Sequence, residues 1–298
     1  MPSSPLSSPH TINPYGYIPS KAICILFIAL FGLSTVIHIG QAARYRMSWL
    51  IPSVILAGCM EVLGWSGRLW SSLNITVMTA FQIQIIVLLC GPTPLAAANF
   101  VILGRMIGLM GTPYSRLGPK QYATVFLICD ITSLFIQGIG GGMAAHAITT
   151  GKSPELGGNI MLAGIVAQLV TITVYILCAA EFFVRYAMDR PVKKYSSVPG
   201  KHTFTLTPRM RYLIGGMCFN TTCLFIRAIY RVIELADGFR GRISTTQVYF
   251  NVLDGWMIVF AIITLNFAHP GFLLPAQKPA DEEKVGSQSQ SVEMLDRE

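Results

Sequence analysis

Seven apolar stretches, each about as long as the hydrocarbon core of a bilayer demands of a helix, dominate this chain. They run Ala22–Gly40, Trp49–Gly67, Thr79–Ile107, Tyr122–Ile148, Gly158–Phe183, Leu213–Leu235 and Tyr249–Phe267. Lipid offers no partner to a backbone N–H or C=O, so such stretches must close their hydrogen bonds internally as helices. Barrel strands of about 10 residues would not fit them. The expectation is an all-α polytopic membrane protein with seven transmembrane helices. Composition agrees, since 52% of the 298 residues are hydrophobic and only 12% are charged, unlike a soluble domain. The third stretch is too long for one upright helix and too short for two. Its "CGPTP" places Pro92 and Pro94 mid-stretch, which predicts one tilted, kinked helix.

Basic residues orient the chain. With the N-terminus outside, most of them fall inside, including Arg44, Arg46, Arg105, Arg116, Lys120, the run from Arg185 to Arg211, and Lys278, Lys284 and Arg297 in the tail. The outside holds Lys21, Arg68, Lys152, Arg240 and Arg242. This is an N-out, C-in arrangement. It divides the chain into a polar extracellular N-terminus (1–20), a membrane domain (21–272) and a disordered cytoplasmic tail (273–298). The opening "MPSSPLSSPHTINPYGY" lacks the basic-then-apolar pattern of a cleaved signal peptide, so the first helix is expected to act as an uncleaved signal. The net charge of +8 fits cytoplasmic loops facing anionic lipid, and no nucleic-acid partner is implied. Asn74-Ile75-Thr76 is a glycosylation sequon in a loop expected outside, whereas Asn220-Thr221-Thr222 lies in a span and is expected to be unused. Cys24, Cys59, Cys90, Cys129, Cys178, Cys218 and Cys223 all fall within helices and read as small packing residues, with no extracellular disulfide pair.

Several apparent motifs dissolve on inspection. Gly151-Lys152-Ser153 ends like a phosphate-binding loop, but His146 stands where that loop needs a glycine, so no nucleotide site is implied. "QGIGGGMAA" has Met143 at the third glycine position of a dinucleotide fingerprint and no strand before it. It reads instead as helix packing through Gly138 and Gly142, extended by Ala145. His38, His146 and His269 are far apart and show no metal-ligand spacing, so neither a metal nor a cofactor is expected. No catalytic constellation emerges, and the carboxylates lack a partner histidine.

Charges inside the spans carry more information, because each costs about 3 kcal/mol near the bilayer centre on insertion scales. At 1.5 Å per residue, Glu61 on helix two, Arg227 and Arg231 on helix six and Asp254 on helix seven all fall roughly 6–12 Å below the outer ends of their helices. Arg227, Arg231 and Glu234 are spaced i, i+4, i+7 and share one stripe, as do Glu61, Trp65 and Arg68; Asn251 and Asp254 are i, i+3. Two acidic helices and one basic helix at matching depth suggest a polar chamber opening outward. There Arg227 and Arg231 pair with Glu61, Asp254 or Glu234, contact a polar headgroup, or do both. Asp130, in the inner half of helix four on a stripe with Ser133, Gln137 and Gly141, has no basic partner at its depth. It is expected to be protonated, hydrogen-bonded to Asn99 or Gln84, or exposed to an internal cavity.

The order "EVLGWSGRLW" (61–70), "GPTPLAAANFVILGR" (91–105), "FLICDITSLFIQGIGGGMAA" (126–145), "IRAIYRVIELADG" (226–238), "YFNVLDGWMI" (249–258) and "NFAHPG" (266–271) resembles the fungal lipid-translocating exporters, the RTA-like family. The resemblance implies a seven-helix plasma-membrane protein tied to outward movement of sphingoid long-chain bases and to resistance against toxic amphiphiles. Its partners would be membrane lipids. Family-like positions are Glu61, Gly64, Arg68, Pro94, Asp130, Gln137, Arg227, Arg231, Glu234, Asp254, His269 and Pro270, and Gln247 departs by standing where an acidic residue is expected. Substrate contact is expected from Glu61, Arg68, Asp130, Gln137, Arg227, Arg231, Glu234 and Asp254. An ammonium would meet Glu61 or Asp254, and a phosphate would meet Arg227 or Arg231. The rival reading is a seven-helix lipid sensor or receptor. Against a rhodopsin-like receptor, no acidic residue precedes Arg105, no Asn-Pro-x-x-Tyr occurs in helix seven, and that helix has no lysine for a retinal Schiff base.

Overall fold

The computed structural model describes residues 15–192, 207–238 and 241–274. Lys193, Lys194, Lys201, Arg240, the first fourteen residues and the tail from residue 275, with Lys278, Lys284 and Arg297, lie outside the described residues. Seven helices are long and apolar enough to cross a membrane: α1 (Lys21–Tyr45), α2 (Ser48–Leu73), α3 (Met78–Met110), α4 (Pro119–Ala147), α5 (Glu155–Ala187), α6 (Pro208–Ala236) and α7 (Gln247–Leu273). No strand occurs among the described residues. Each helix packs on the next, and α1 also packs on α7, closing the ring. Inside lie Phe27, Trp65, Leu88, Phe100, Tyr175 and Ile262, while Ile25, Val36, Phe135, Leu177 and Phe219 face outward and exposed. So continuous an apolar exterior suits acyl chains rather than water, and the chain is a multi-pass membrane protein.

Local chemistry places the helix ends. Prolines open α4 and α6, where the first-turn N–H would have no helical partner in any case, and the Thr207 hydroxyl caps α6 by accepting from the Met210 N–H at 3.4 Å. Helix α3 breaks as expected: one segment ends at Cys90 and the next begins at Pro92. Pro92 has no N–H to give the carbonyl of Leu88 four residues earlier, so that carbonyl is released from the helix ladder. At the break a Cβ on Gly91 would lie 2.7 Å from Glu61 Oε1, so a glycine is what lets α2 and α3 meet there.

Two features differ from the expected pattern. Helices α2 and α7 each contain a π-helical segment, Ile51–Ile55 and Asn251–Trp256, which widens the turn and shifts every following side chain off the α-helical register. The α4–α5 contact uses a different glycine face from the one expected. Gly138 and Gly142 meet open space, whereas a Cβ on Gly140 would lie 2.3 Å from Met161 N and one on Gly157 would lie 2.3 Å from Ala144 N. The run of glycines supports small-residue spacing in more than one phase, and Gly140 with Ala144 is the phase that faces Gly157 and Met161, while Gly164 meets Ser133 and Gln137 one to two turns earlier on α4.

Candidate functional site

Helix α6 supplies the basic half of a buried cluster and the π-helical turn of α7 supplies its centre. Asp254, 3% exposed, takes both arginines. Arg231 donates through Nε and Nη2 to the two carboxylate oxygens at 2.9 and 2.8 Å, and Arg227 Nε lies 2.7 Å from Asp254 Oδ1. Arg231 also donates from Nη1 to Glu234 at 3.0 Å, and the Tyr230 hydroxyl donates to the other Glu234 oxygen at 2.9 Å. Arg227 Nη2 reaches across to α3 and donates to the Leu88 carbonyl at 2.7 Å, the oxygen that Pro92 releases from its helix. The kink and the arginine therefore satisfy one another.

Glu61 departs from the expected pairing. It is buried at 2% exposure, but no arginine or lysine among the described residues comes within ion-pair distance of it. Asp254 already occupies both arginines, and the Glu61 carboxyl lies against Gly91 at the kink.

One turn beyond Trp65, Arg68 sits in an aromatic box. Its guanidinium carbon is 4.3 Å from the Phe250 ring centre, 5.5 Å from Tyr15, 5.6 Å from Tyr17 and 5.7 Å from Trp65. Its Nη2 donates to the Tyr17 hydroxyl at 2.6 Å, and the residue is 1% exposed. Beside it lies a cavity of about 100 Å³ whose walls include Tyr15, Tyr17, Arg68, Gln84, Arg231 and Glu234. The Tyr15 hydroxyl donates to Gln84 Oε1 at 2.6 Å. Burial pushes the Tyr15 phenol up to about 12, so it remains a donor at physiological pH.

The cavity thus gathers Arg68, Arg231 and Glu234 from the residues singled out in the sequence; Glu61, Arg227 and Asp254 do not line it, though Asp254 holds Arg231, which does. Asp130 and Gln137 do not line it either. Asp130 is 2% exposed, its Oδ1 has no partner among the described residues, and neither expected partner is bonded to it: Asn99 donates to Asn220 and Thr221 at 2.6 and 3.3 Å and Gln84 accepts from Tyr15. Gln137 donates to Gln168 at 3.3 Å, and Gln168 to Thr93 at 3.0 Å, a separate polar chain joining α4, α5 and α3. The same Asn220 donates to the Ala261 carbonyl at 2.6 Å and is fully buried.

At the opposite end His38 and His269, distant in sequence, come together with ring centres 6.4 Å apart. The His38 Nε2 is 3.1 Å from the Ile262 carbonyl and His269 Nδ1 accepts from the Gly271 N–H. No group of three or more metal-binding side chains occurs among the described residues. Sequence reasoning missed Tyr15, Tyr17, Tyr230 and Phe250, and gave Gln84 a different partner, Asp130. Only Tyr230, between two arginines on the charged stripe, carries a periodic signal.

A closed ring of seven apolar helices around a buried ionic cluster, with a cavity of mixed charged, aromatic and aliphatic lining at one end, defines a multi-pass membrane protein. The family follows from similarity: the model described as RTA1 like protein matches residues 54–277, and the chain belongs to that family. It is 29% identical to the sphingoid long-chain base transporter RSB1 of Saccharomyces cerevisiae, over 86% of this chain and 73% of that protein. Protein RTA1 of the same yeast is 27% identical over 86% of this chain and 84% of its own length. Protoporphyrin uptake protein 1, also from that yeast, is 26% identical over 85% of this chain and 90% of its own. No solved structure matches the chain.

Proposed function

We propose that this protein moves long-chain amine amphiphiles of the sphingoid-base kind outward across the plasma membrane, without catalysing a covalent reaction, and so contributes to resistance against toxic amphiphiles. The chain lies N-out and C-in, with residues 1–20 outside, the membrane domain over 21–272 and the tail from 273 inside. The carrying observation is the cavity in which the carboxylate of Glu234 stands beside aromatic walls, inside a chain similar along 86% of its length to a sphingoid long-chain base transporter. An ammonium gains from a carboxylate and from aromatic faces together. Asp254, which holds two arginines and does not line the cavity, is the structural member of the cluster, and Glu234, which lines the cavity and holds one Arg231 contact and the Tyr230 hydroxyl, keeps lone pairs to act as the headgroup acceptor.

Release of a fluorescent sphingoid base from proteoliposomes holding the purified protein tests this. Wild type is expected to move the lipid, and Glu234→Gln to slow it by about tenfold or more, the worth of one charge-assisted contact. If wild type binds the base but moves none, the protein is a seven-helix lipid sensor rather than a carrier.

A further inference from the structure

Arg68 is the cation of the cavity that the ionic cluster leaves unanswered. Arg227 and Arg231 share Asp254, but no carboxylate among the described residues comes within ion-pair distance of Arg68. Its Nε has no hydrogen-bond partner among the described residues, although the residue is 1% exposed. A guanidinium does not shed its charge. The aromatic faces around it offset part of the cost of burying an ion but supply neither a counter-charge nor an acceptor for Nε. That missing counter-charge points to an anion in the cavity that Arg68 lines. Glu234 lines the same cavity and, beside its contacts to Arg231 and Tyr230, keeps lone pairs for a cationic group. The volume, about 100 Å³, has room for roughly seven to ten water-sized groups, enough for a headgroup with both charges.

We propose that the cavity recognises the phosphorylated form of a long-chain amine, with the phosphate at Arg68 and the Tyr17 hydroxyl and the ammonium at Glu234. This rests on the reading of the protein as a carrier of long-chain amines and sharpens its substrate class. Arg68 is a specificity residue here: a planar fork whose charge and free N–H favour a phosphate over the plain hydroxyl of the unphosphorylated base. Tyr15 and Tyr17, preceding α1, close the aromatic wall over it.

Trp65, stacked on Phe27 with ring centres 4.1 Å apart and close to Arg68, provides an intrinsic fluorescence probe. The purified full chain in nanodiscs is titrated with four probes: a sphingoid base, the same base 1-phosphate, a lysophosphatidate carrying phosphate without amine, and inorganic phosphate. The base phosphate is expected to bind at least about tenfold more tightly than the base. Arg68→Gln is expected to bring the ratio of the two affinities to about one, and Tyr17→Phe to lower it. Arg68→Lys, which keeps a charge in the box, guards against a folding defect and retains part of the preference. Equal binding of base and base phosphate, or a preference that survives Arg68→Gln, overturns the proposal. Lysophosphatidate binding as tightly as the base phosphate overturns the role of Glu234, and inorganic phosphate competing at similar concentration shows a free-anion site instead of a lipid headgroup site. Binding of the phosphate form without binding or movement of the free base leaves this site standing and removes the carrier reading.

Discussion

Asp254 carries more of the buried electrostatics than any other side chain in the bundle, because two guanidinium groups depend on its two oxygens. Removing one partner of a buried ionic group strands the others, at about 3–5 kcal/mol. Asp254→Asn is therefore expected to lower the thermal unfolding midpoint of the detergent-solubilised protein well below that of Glu61→Gln, whose carboxyl has no ion pair among the described residues to strand. Equal shifts from the two variants would contradict the division of roles between them. The arginine stripe is legible in the sequence, since i, i+4, i+7 spacing on a helix leaves Arg227, Arg231 and Glu234 no other arrangement. The choice of Asp254 over Glu61 as their partner is not. It depends on a π-helical turn and on the direction of a kink, both of which tertiary packing decides.

At the scale of elements, small residues determine how closely helices approach. A side chain on Gly157 would collide with the backbone of Ala144, while Gly142 faces open space. Gly157→Ala should thus destabilise by about 1–3 kcal/mol through overpacking, and Gly142→Ala should be neutral or stabilise by up to about 1 kcal/mol through helix propensity. Comparing their melting curves tests which face of α4 meets α5, and the reverse order would reinstate the Gly138–Gly142 face. Existence and rough extent of all seven helices could be read from apolar length alone. The packing face of α4 could not, because glycines at 138, 140, 141 and 142 satisfy the spacing rule in competing phases. The Tyr15–Tyr17 wall lay beyond reach for another reason: it precedes the first apolar stretch, where no periodicity exists to signal that it folds back onto α2.

For the whole molecule, the cavity, Arg68 and the exposed Asn74 lie at the end of the bundle where the chain enters α1. The proposed N-out arrangement would put that end outside the cell. An N-glycan on Asn74 is then expected, seen as a glycosidase-sensitive band shift that Asn74→Gln abolishes. A sequon introduced between α3 and α4 that is glycosylated instead would reverse the orientation. At the other end, Arg116 and Arg185 clasp Glu181 at 2.7 Å, with the Arg116 side chain 62% exposed. These two ionic sites differ in how they meet ionic strength. At about 1 M salt the screening length shrinks to about 3 Å in water, which loosens the Arg116–Glu181 contact. Mobile ions cannot enter the interior where Asp254 holds Arg227 and Arg231. Concentrated salt should consequently relax one end of the bundle while leaving α6 and α7 tied together.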